Sequence, residues 1–207
     1  MTAETTPLDA ERRLRAAVRR EPGLVVLTGG QTGVDTMAAQ AALKAGLAVE
    51  LIFPADFRQE DGPLTQARRA GLRGARLHEL SSASFSYRTW TAVYLADAVL
   101  LLDPAGGDGC AETARAAHCL GRPLLAPGAV PVAPPDVEPD VEPDVTAWLA
   151  ETGCKVLMLA GCRASLLAGR GTITGLRSQL TAIMTGATEQ HRRLLTAPIT
   201  GRVTGPV

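Results

Sequence analysis

The chain has 207 residues, 46% hydrophobic but only 3% aromatic, enough for one ordinary domain with a core built from Ala, Val, Leu and Ile. Lys plus Arg and Asp plus Glu both number 21, so the formal charge is zero with His neutral, which argues against a protein that holds nucleic acid by bulk charge. No apolar run is long enough to span a membrane, and residues 1–7 lack the basic-then-apolar pattern of a secretory signal. The expectations are a cytoplasmic protein, no nucleic-acid partner and no membrane. Cys110, Cys119, Cys154 and Cys162 form no CxxC pair and read as reduced thiols.

Residues 1–7 read as disordered, and 8–20 as a short helix with Leu14, Ala17 and Val18 on one side and arginines elsewhere. Leu24 to Thr28 is a short apolar run and predicts a buried strand. It ends in Gly29-Gly30-Gln31-Thr32-Gly33, and an alanine-rich helix follows from Val34 to Ala45, with Gly46 placed to stop it. Strand, glycine loop and helix together form a phosphate cradle: glycines let backbone N–H groups approach an anion, and the helix N-terminus adds partial positive charge. The spacing is neither GxGxxG nor GxxxxGK[ST], so an ATPase is not indicated.

Ala48 to Phe53 predicts a second strand, closing a βαβ unit, and Pro54 stops it. The polar stretch after it, to Leu64, reads as a loop carrying Arg58, Glu60 and Asp61 where open α/β sheets place ligands. A short helix over 65–70 and a weak strand over 75–80 follow. Ser84 to Ala96 predicts a helix, with Arg88 and Thr89 one turn before Val93 and Tyr94. Ala98 to Leu102 is the strongest strand pattern in the chain, ended by Asp103 and Pro104. A second glycine loop, Gly106-Gly107-Asp108-Gly109, then leads through Cys110, Glu112 and Thr113 into a helix ending near Leu120. Two strand–glycine-loop–helix units in one sheet can face each other across a crevice.

A short strand at 123–126 precedes a Pro-rich loop at 127–144, which repeats Val-Glu-Pro-Asp. Asp144 can cap a helix over 145–152, and Lys155 to Ala160 predicts a strand that runs directly into Gly161-Cys162-Arg163-Ala164-Ser165. Two helices are expected at the end, 172–184 and 188–195, with a poorly ordered tail from Pro198. The strand ends at Thr28, Asp103 and Ala160 are expected to meet at one edge of a mostly parallel sheet with helices on both faces, a three-layer Rossmann-like α/β fold.

Several of these segments resemble the molybdenum cofactor carrier family, part of a Rossmann-like superfamily that also holds the lysine decarboxylase-like phosphoribohydrolases that release cytokinin bases. Gly29 to Asp35 resembles the family's first segment throughout. Glu60-Asp61-Gly62-Pro63-Leu64, Arg88-Thr89 with Asp97-Ala98, Gly106 to Thr113, and Ala160 to Ser165 resemble its later ones. Cys162 stands where the family has proline, and Glu112 comes one residue earlier than in the phosphoribohydrolase pattern, about 100° away on a helix. The resulting division is an N-terminal extension with a short helix (1–22), a single Rossmann-like domain (23–186) and a C-terminal helix and tail (187–207).

The resemblance implies a binding or carrier protein for a phosphorylated ligand, molybdenum cofactor or a nucleotide, working as a homodimer or higher homo-oligomer. Alternatives are a nucleoside 5′-monophosphate phosphoribohydrolase, with Arg88 anchoring phosphate and Glu112 positioning water, and a nucleotide-sensing module. The candidate ligand-binding residues are Gly29, Gly30, Gln31, Thr32, Gly33, Asp35, Glu60, Asp61, Arg88, Thr89, Gly106, Gly107, Asp108, Gly109, Thr113, Arg163 and Ser165. Asp35 has two readings, a cap for its own helix or a ligand for magnesium bridging to phosphate.

Overall fold

The computed structural model describes residues 7–21, 23–102, 107–127, 145–167 and 173–196. Gly106, the strand end at Asp103, residues 128–144 of the Pro-rich segment, residues 1–6 and the tail from Pro198 lie outside them.

Five long apolar or half-apolar runs and one short one build a six-stranded sheet. β1 (Val25–Thr28), β2 (Ala48–Phe53) and β5 (Arg76–Glu79) form one half; β6 (Ala98–Leu102), β7 (Leu124–Leu125) and β8 (Val156–Gly161) form the other. The order is β5-β2-β1-β8-β6-β7, and every neighbouring pair is parallel. The last strand in the chain therefore lies between the first and the fourth long one. Val25 pairs with Val156 on one side and Ala48 on the other, while Leu100 pairs with Leu159.

Strand alternation sends side chains to two separate cores. Val26, Leu51, Phe53, Leu100, Leu157 and Leu159 pack under α2 (Val34–Lys44), α6 (Val145–Thr152) and α8 (Ile173–Thr196). Val25, Leu27, Ile52, Val99, Leu101, Val156 and Met158 pack under α1 (Pro7–Val18), α4 (Phe85–Leu95) and α5 (Asp108–Cys119). The result is the expected three-layer α/β fold. Central strands buried on both faces explain why they read as continuous apolar runs. Ala116 and Ala117 of α5 and Ala92 of α4 are fully buried in this second core, so these alanines serve internal packing. Among the described residues none of the cysteines is in a disulfide, and no helix is long and apolar enough to cross a membrane.

Three local departures matter. The stretch after β2 is a one-turn helix (Ala55–Phe57) followed by a tight hairpin, β3 (Arg58–Gln59) and β4 (Gly62–Pro63), instead of a plain loop. A short helix, α7 (Ala164–Leu167), follows β8; α3 (Gln66–Ala70) lies between hairpin and β5. The two expected C-terminal helices are one: α8 runs unbroken through Gly186, where an added Cβ would lie 2.9 Å from Thr146 Oγ1. That glycine permits close packing on α6 and does not end the helix.

Candidate functional site

In a parallel sheet all strand C-termini share one edge, and the order places those of β1, β8 and β6 side by side. The first glycine loop leaves β1, Gly161 to Arg163 leave β8, and α5 begins at Gly107 after β6. Between them lies a cleft of about 190 Å³ lined by Gln31, Asp35, Arg88, Thr89, Asp108, Gly109, Glu112, Thr113 and Arg163 among others. Residues far apart in sequence are thus gathered by strand order alone.

Arg88 forms the floor. It is 8% exposed, and its Nε has no hydrogen-bond partner among the described residues. Its Nη1 stands 3.6 Å from Asp35 Oδ2, an ion pair buried on both sides. Burial pulls the guanidinium below its ordinary pKa, Asp35 and Glu112 oppose that, and Arg163 adds to it. Gly29 makes room for this arginine: a Cβ there would fall 1.3 Å from Nη1.

Asp35 lies in the first turn of α2, but its carboxylate does not cap the helix; the N-cap is Gly33, without a side-chain bond. Oδ2 instead accepts the Gln31 N–H at 3.1 Å and holds the first loop closed. Burial pushes the Asp35 pKa up to about 6, restrained by Arg88 and by backbone bonds from Gln31 and Gly29. A carboxylate already facing a guanidinium is a poor seat for a dication, and among the described residues no group of three His, Cys, Asp or Glu side chains gathers to hold one. Asp35 is the anionic half of an ion pair with Arg88, and a magnesium seat there is unsupported.

The second loop contributes the N-terminus of α5. The N–H groups of Cys110 and Ala111 return to the Gly107 carbonyl at 3.0 and 3.2 Å, while those of Asp108 and Gly109 precede the intrahelical ladder and make no backbone bond among the described residues, as at an anion-binding helix start. Among the described residues, a Cβ on Gly109 would meet nothing within 4 Å, and one on Gly107 would meet only Leu166 Cδ1 at 3.5 Å. The Thr113 hydroxyl donates to the Gly109 carbonyl at 2.9 Å, bracing that first turn. Glu112 lines the cleft despite its early position. Its Oε1 accepts from the Ser86 hydroxyl, from Trp90 Nε1 at 3.3 Å and from Arg115 Nη2 at 3.2 Å.

Other candidates are brought together elsewhere. Glu60, at the hairpin tip, accepts from the Thr32 hydroxyl, from the Ser165 N–H at 3.2 Å and from the Ser165 hydroxyl at 2.5 Å. Its own N–H donates to Gln31 Oε1 at 2.9 Å, and Gln59 Nε2 donates to the Gly30 carbonyl at 2.7 Å. Burial alone would raise the Glu60 pKa, but the bonds from Ser165 and Thr32 and the charge of Arg163 hold it below the ordinary value. Glu60, Thr32 and Ser165 thus form a clasp joining the hairpin, the first loop and α7. Thr32 and Gly33 face a neighbouring surface hollow with Arg68 and Arg177 rather than the cleft. Asp61 pairs with Arg68 at 2.5 Å, away from the cleft. Gly30 packs on Phe53, whose ring would lie 2.5 Å from an added Cβ.

Sequence reasoning passed over Gln59, Phe85, Ser86, Trp90 and Cys110. Cys110 and Phe85 line the cleft, Ser86 and Trp90 hold Glu112, and Gln59 anchors the first loop. Trp90 carried a signal in its helical spacing with Val93 and Tyr94, and Cys110 in its place directly after the second glycine loop.

No curated protein matches the chain. Among solved structures, the "Putative molybdenum carrier protein" from Syntrophus aciditrophicus SB superposes with a TM-score of 0.59 at 21% identity, over 78% of this chain and 94% of that one. At that identity the likeness establishes the fold. AibC aligns at a TM-score of 0.27 and 16% identity, over 92% of this chain and 50% of that one, too dissimilar to carry an argument. Residues 26–175 match the circularly permutated YpsA SLOG family, a span holding both glycine loops and all eight strands but the first residue of β1, and the chain belongs to that family.

Proposed function

We propose that the cleft binds a small phosphorylated ligand and that the protein acts as a carrier or sensor for it, with molybdenum cofactor and nucleotides as the candidate ligands. One observation carries this reading: a guanidinium only 8% exposed, with Asp35 at 3.6 Å as its one ion-pair partner among the described residues, lines the cleft. Buried polar groups are ordinarily hydrogen-bonded, and an arginine without its full set of acceptors in a cleft is suited to a planar or tetrahedral oxyanion. The N–H groups of Asp108 and Gly109 at the start of α5 and the Arg163 side chain add donors from two further directions. The name of the Syntrophus protein, a molybdenum carrier, supports the carrier role.

Native mass spectrometry of freshly purified protein, followed by calorimetric titration with nucleotides and with molybdopterin, tests the reading. A retained or tightly bound phosphorylated compound, lost in Gly107→Val, is the expected result. Unchanged binding by folded Gly107→Val would remove the cradle.

Glu112 beside Arg88 favours a second reading, hydrolysis of the N-glycosidic bond of a nucleoside 5′-monophosphate. The carboxylate would position water while Arg88 holds phosphate. Free base released from a panel of nucleoside monophosphates supports it; no release at high protein concentration rejects it. We also propose a homo-oligomer. Tyr94 and Leu124 are large apolar side chains left exposed on the α4–α5 side, and light scattering that stays at monomer mass across a dilution series would refute it.

A further inference from the structure

Resting on the phosphate-binding reading, we propose that Asp35 is a positioning residue that couples anion binding to the uptake of one proton, so that the cleft takes up an oxyanion and a proton together.

Without ligand, Arg88 and Asp35 form a buried pair 3.6 Å apart, and the floor of the cleft is neutral overall. A doubly charged oxyanion on Arg88 would bring a second negative group against a carboxylate that is 4% exposed. In such surroundings like charges interact with little screening. A metal bridge would relieve this, but Asp35 has a guanidinium where further oxygen donors would be needed. A proton relieves it with no further partner: the carboxylate becomes a carboxylic acid, the proton comes from solvent, and no other bond is made or broken.

Geometry makes this change inexpensive for the fold. Protonated Asp35 keeps a carbonyl oxygen to accept the Gln31 N–H. It also releases Arg88 from its only charged partner within ion-pair distance among the described residues, freeing the guanidinium for the ligand. Burial has already brought the Asp35 carboxyl up to about 6, and Arg88 is the strongest restraint on a further rise. An anion that draws off the arginine's charge lifts that restraint.

The other groups around the cleft are less suited. Glu112 on α5 has an oxygen that takes three donors and a side chain 22% exposed. Glu60 on the hairpin is held low by its clasp. Asp108 at the start of α5 is exposed, Cys110 follows it in the same turn, and Arg163 lies after β8 with Glu60 at 3.9 Å. His78 lies with Glu50 between β2 and β5, and His118 is in the last turn of α5; neither lines the cleft.

Sulfate is the probe, because it stays doubly charged where phosphate itself titrates. Calorimetric titration of the whole protein with sulfate, in two buffers of different ionisation enthalpy, counts the protons. Above about pH 6.5 close to one proton should enter per sulfate, and the dissociation constant should rise by up to about tenfold per pH unit. Asp35→Asn, which keeps the acceptor for Gln31, should bind sulfate with neither proton uptake nor that slope. Sulfate binding without proton uptake, or uptake unchanged in Asp35→Asn, overturns the coupling and leaves the cradle standing. No sulfate binding at any pH overturns the cradle and the coupling with it. If Asp35→Asn fails to fold, the proton count on the unaltered protein decides.

Discussion

The two glycine loops look alike in sequence and differ in what their glycines are for. In the first, an added Cβ would strike the Arg88 guanidinium at Gly29, the Phe53 ring at Gly30 and the backbone of residues 162–164 at Gly33. Those glycines serve the protein's own packing. In the second, among the described residues, an added Cβ would meet nothing within 4 Å at Gly109 and Leu166 Cδ1 at 3.5 Å at Gly107, whose φ of 86° separately calls for glycine. The first loop is a joint that seats an arginine; the second is a surface left bare for something to approach. Glycine content alone does not separate these cases, because a tight internal contact and an open cradle both exclude a side chain.

This contrast can be broken by substitution, starting where the effect is largest. Gly33→Ala places a Cβ 2.5 Å from the Cys162 carbonyl oxygen at a φ of 81°, and neither backbone can yield easily. A loss of about 3 kcal/mol or more is expected in denaturant unfolding. A loss below about 1 kcal/mol would show that the joint is soft.

The Asp35 carboxyl titrates near 3.8 when unfolded and about 6 when folded. Because the folded value is the higher one, this group's contribution to stability is fully present below about pH 4 and is lost as pH rises through about 6. Without ligand the unaltered protein should lose about 3 kcal/mol relative to Asp35→Asn between about pH 3 and 8. That corresponds to about 6–12 °C in the difference of their melting temperatures. A flat difference would mean that the first loop is more hydrated than its packing implies.

Gly29→Ala is next. The struck atom is the end of a side chain, so Arg88 can swing away, leaving Asp35 buried without its cation. A cost of about 2 kcal/mol and loss of sulfate binding are expected together. Gly109→Val should give the opposite pairing: a stability change within about 0.5 kcal/mol, since no described residue is struck, but no anion binding. Were Gly109→Val to bind sulfate normally while Gly29→Ala did not, the anion would belong to the arginine alone and the α5 N-terminus would be a bystander.

The layers were legible before the structure was known, because buried parallel strands appear as apolar runs bounded by glycine and proline. The cleft was legible in part: Arg88, Asp108, Gly109, Glu112, Thr113 and Arg163 do line it. Glu60, Thr32 and Ser165 show why the rest was not. A carboxylate and two hydroxyls have the chemistry to read a ligand, and the same chemistry to clasp three segments of chain. Which one they do depends on two-residue strands inside a polar run, where neither alternation nor propensity has room to show. Gly186 illustrates the same limit for helices, since a glycine that ends a helix and one that lets a neighbour approach are the same letter.

The position of β8 also has a consequence in time. β1 and β6 share no ladder and meet only through a strand that begins at Val156. During synthesis the N-terminal three-quarters of the chain can form its local βα units, yet each half-sheet carries an open inner edge until residues 156–161 emerge. Such edges invite pairing with the wrong strand, and contacts this distant in sequence form slowly. The same late strand carries Gly161 and leads to Arg163, so closing the edge and completing the cleft are one event. A nascent chain that stops short of β8 has both glycine loops and no means of bringing them together.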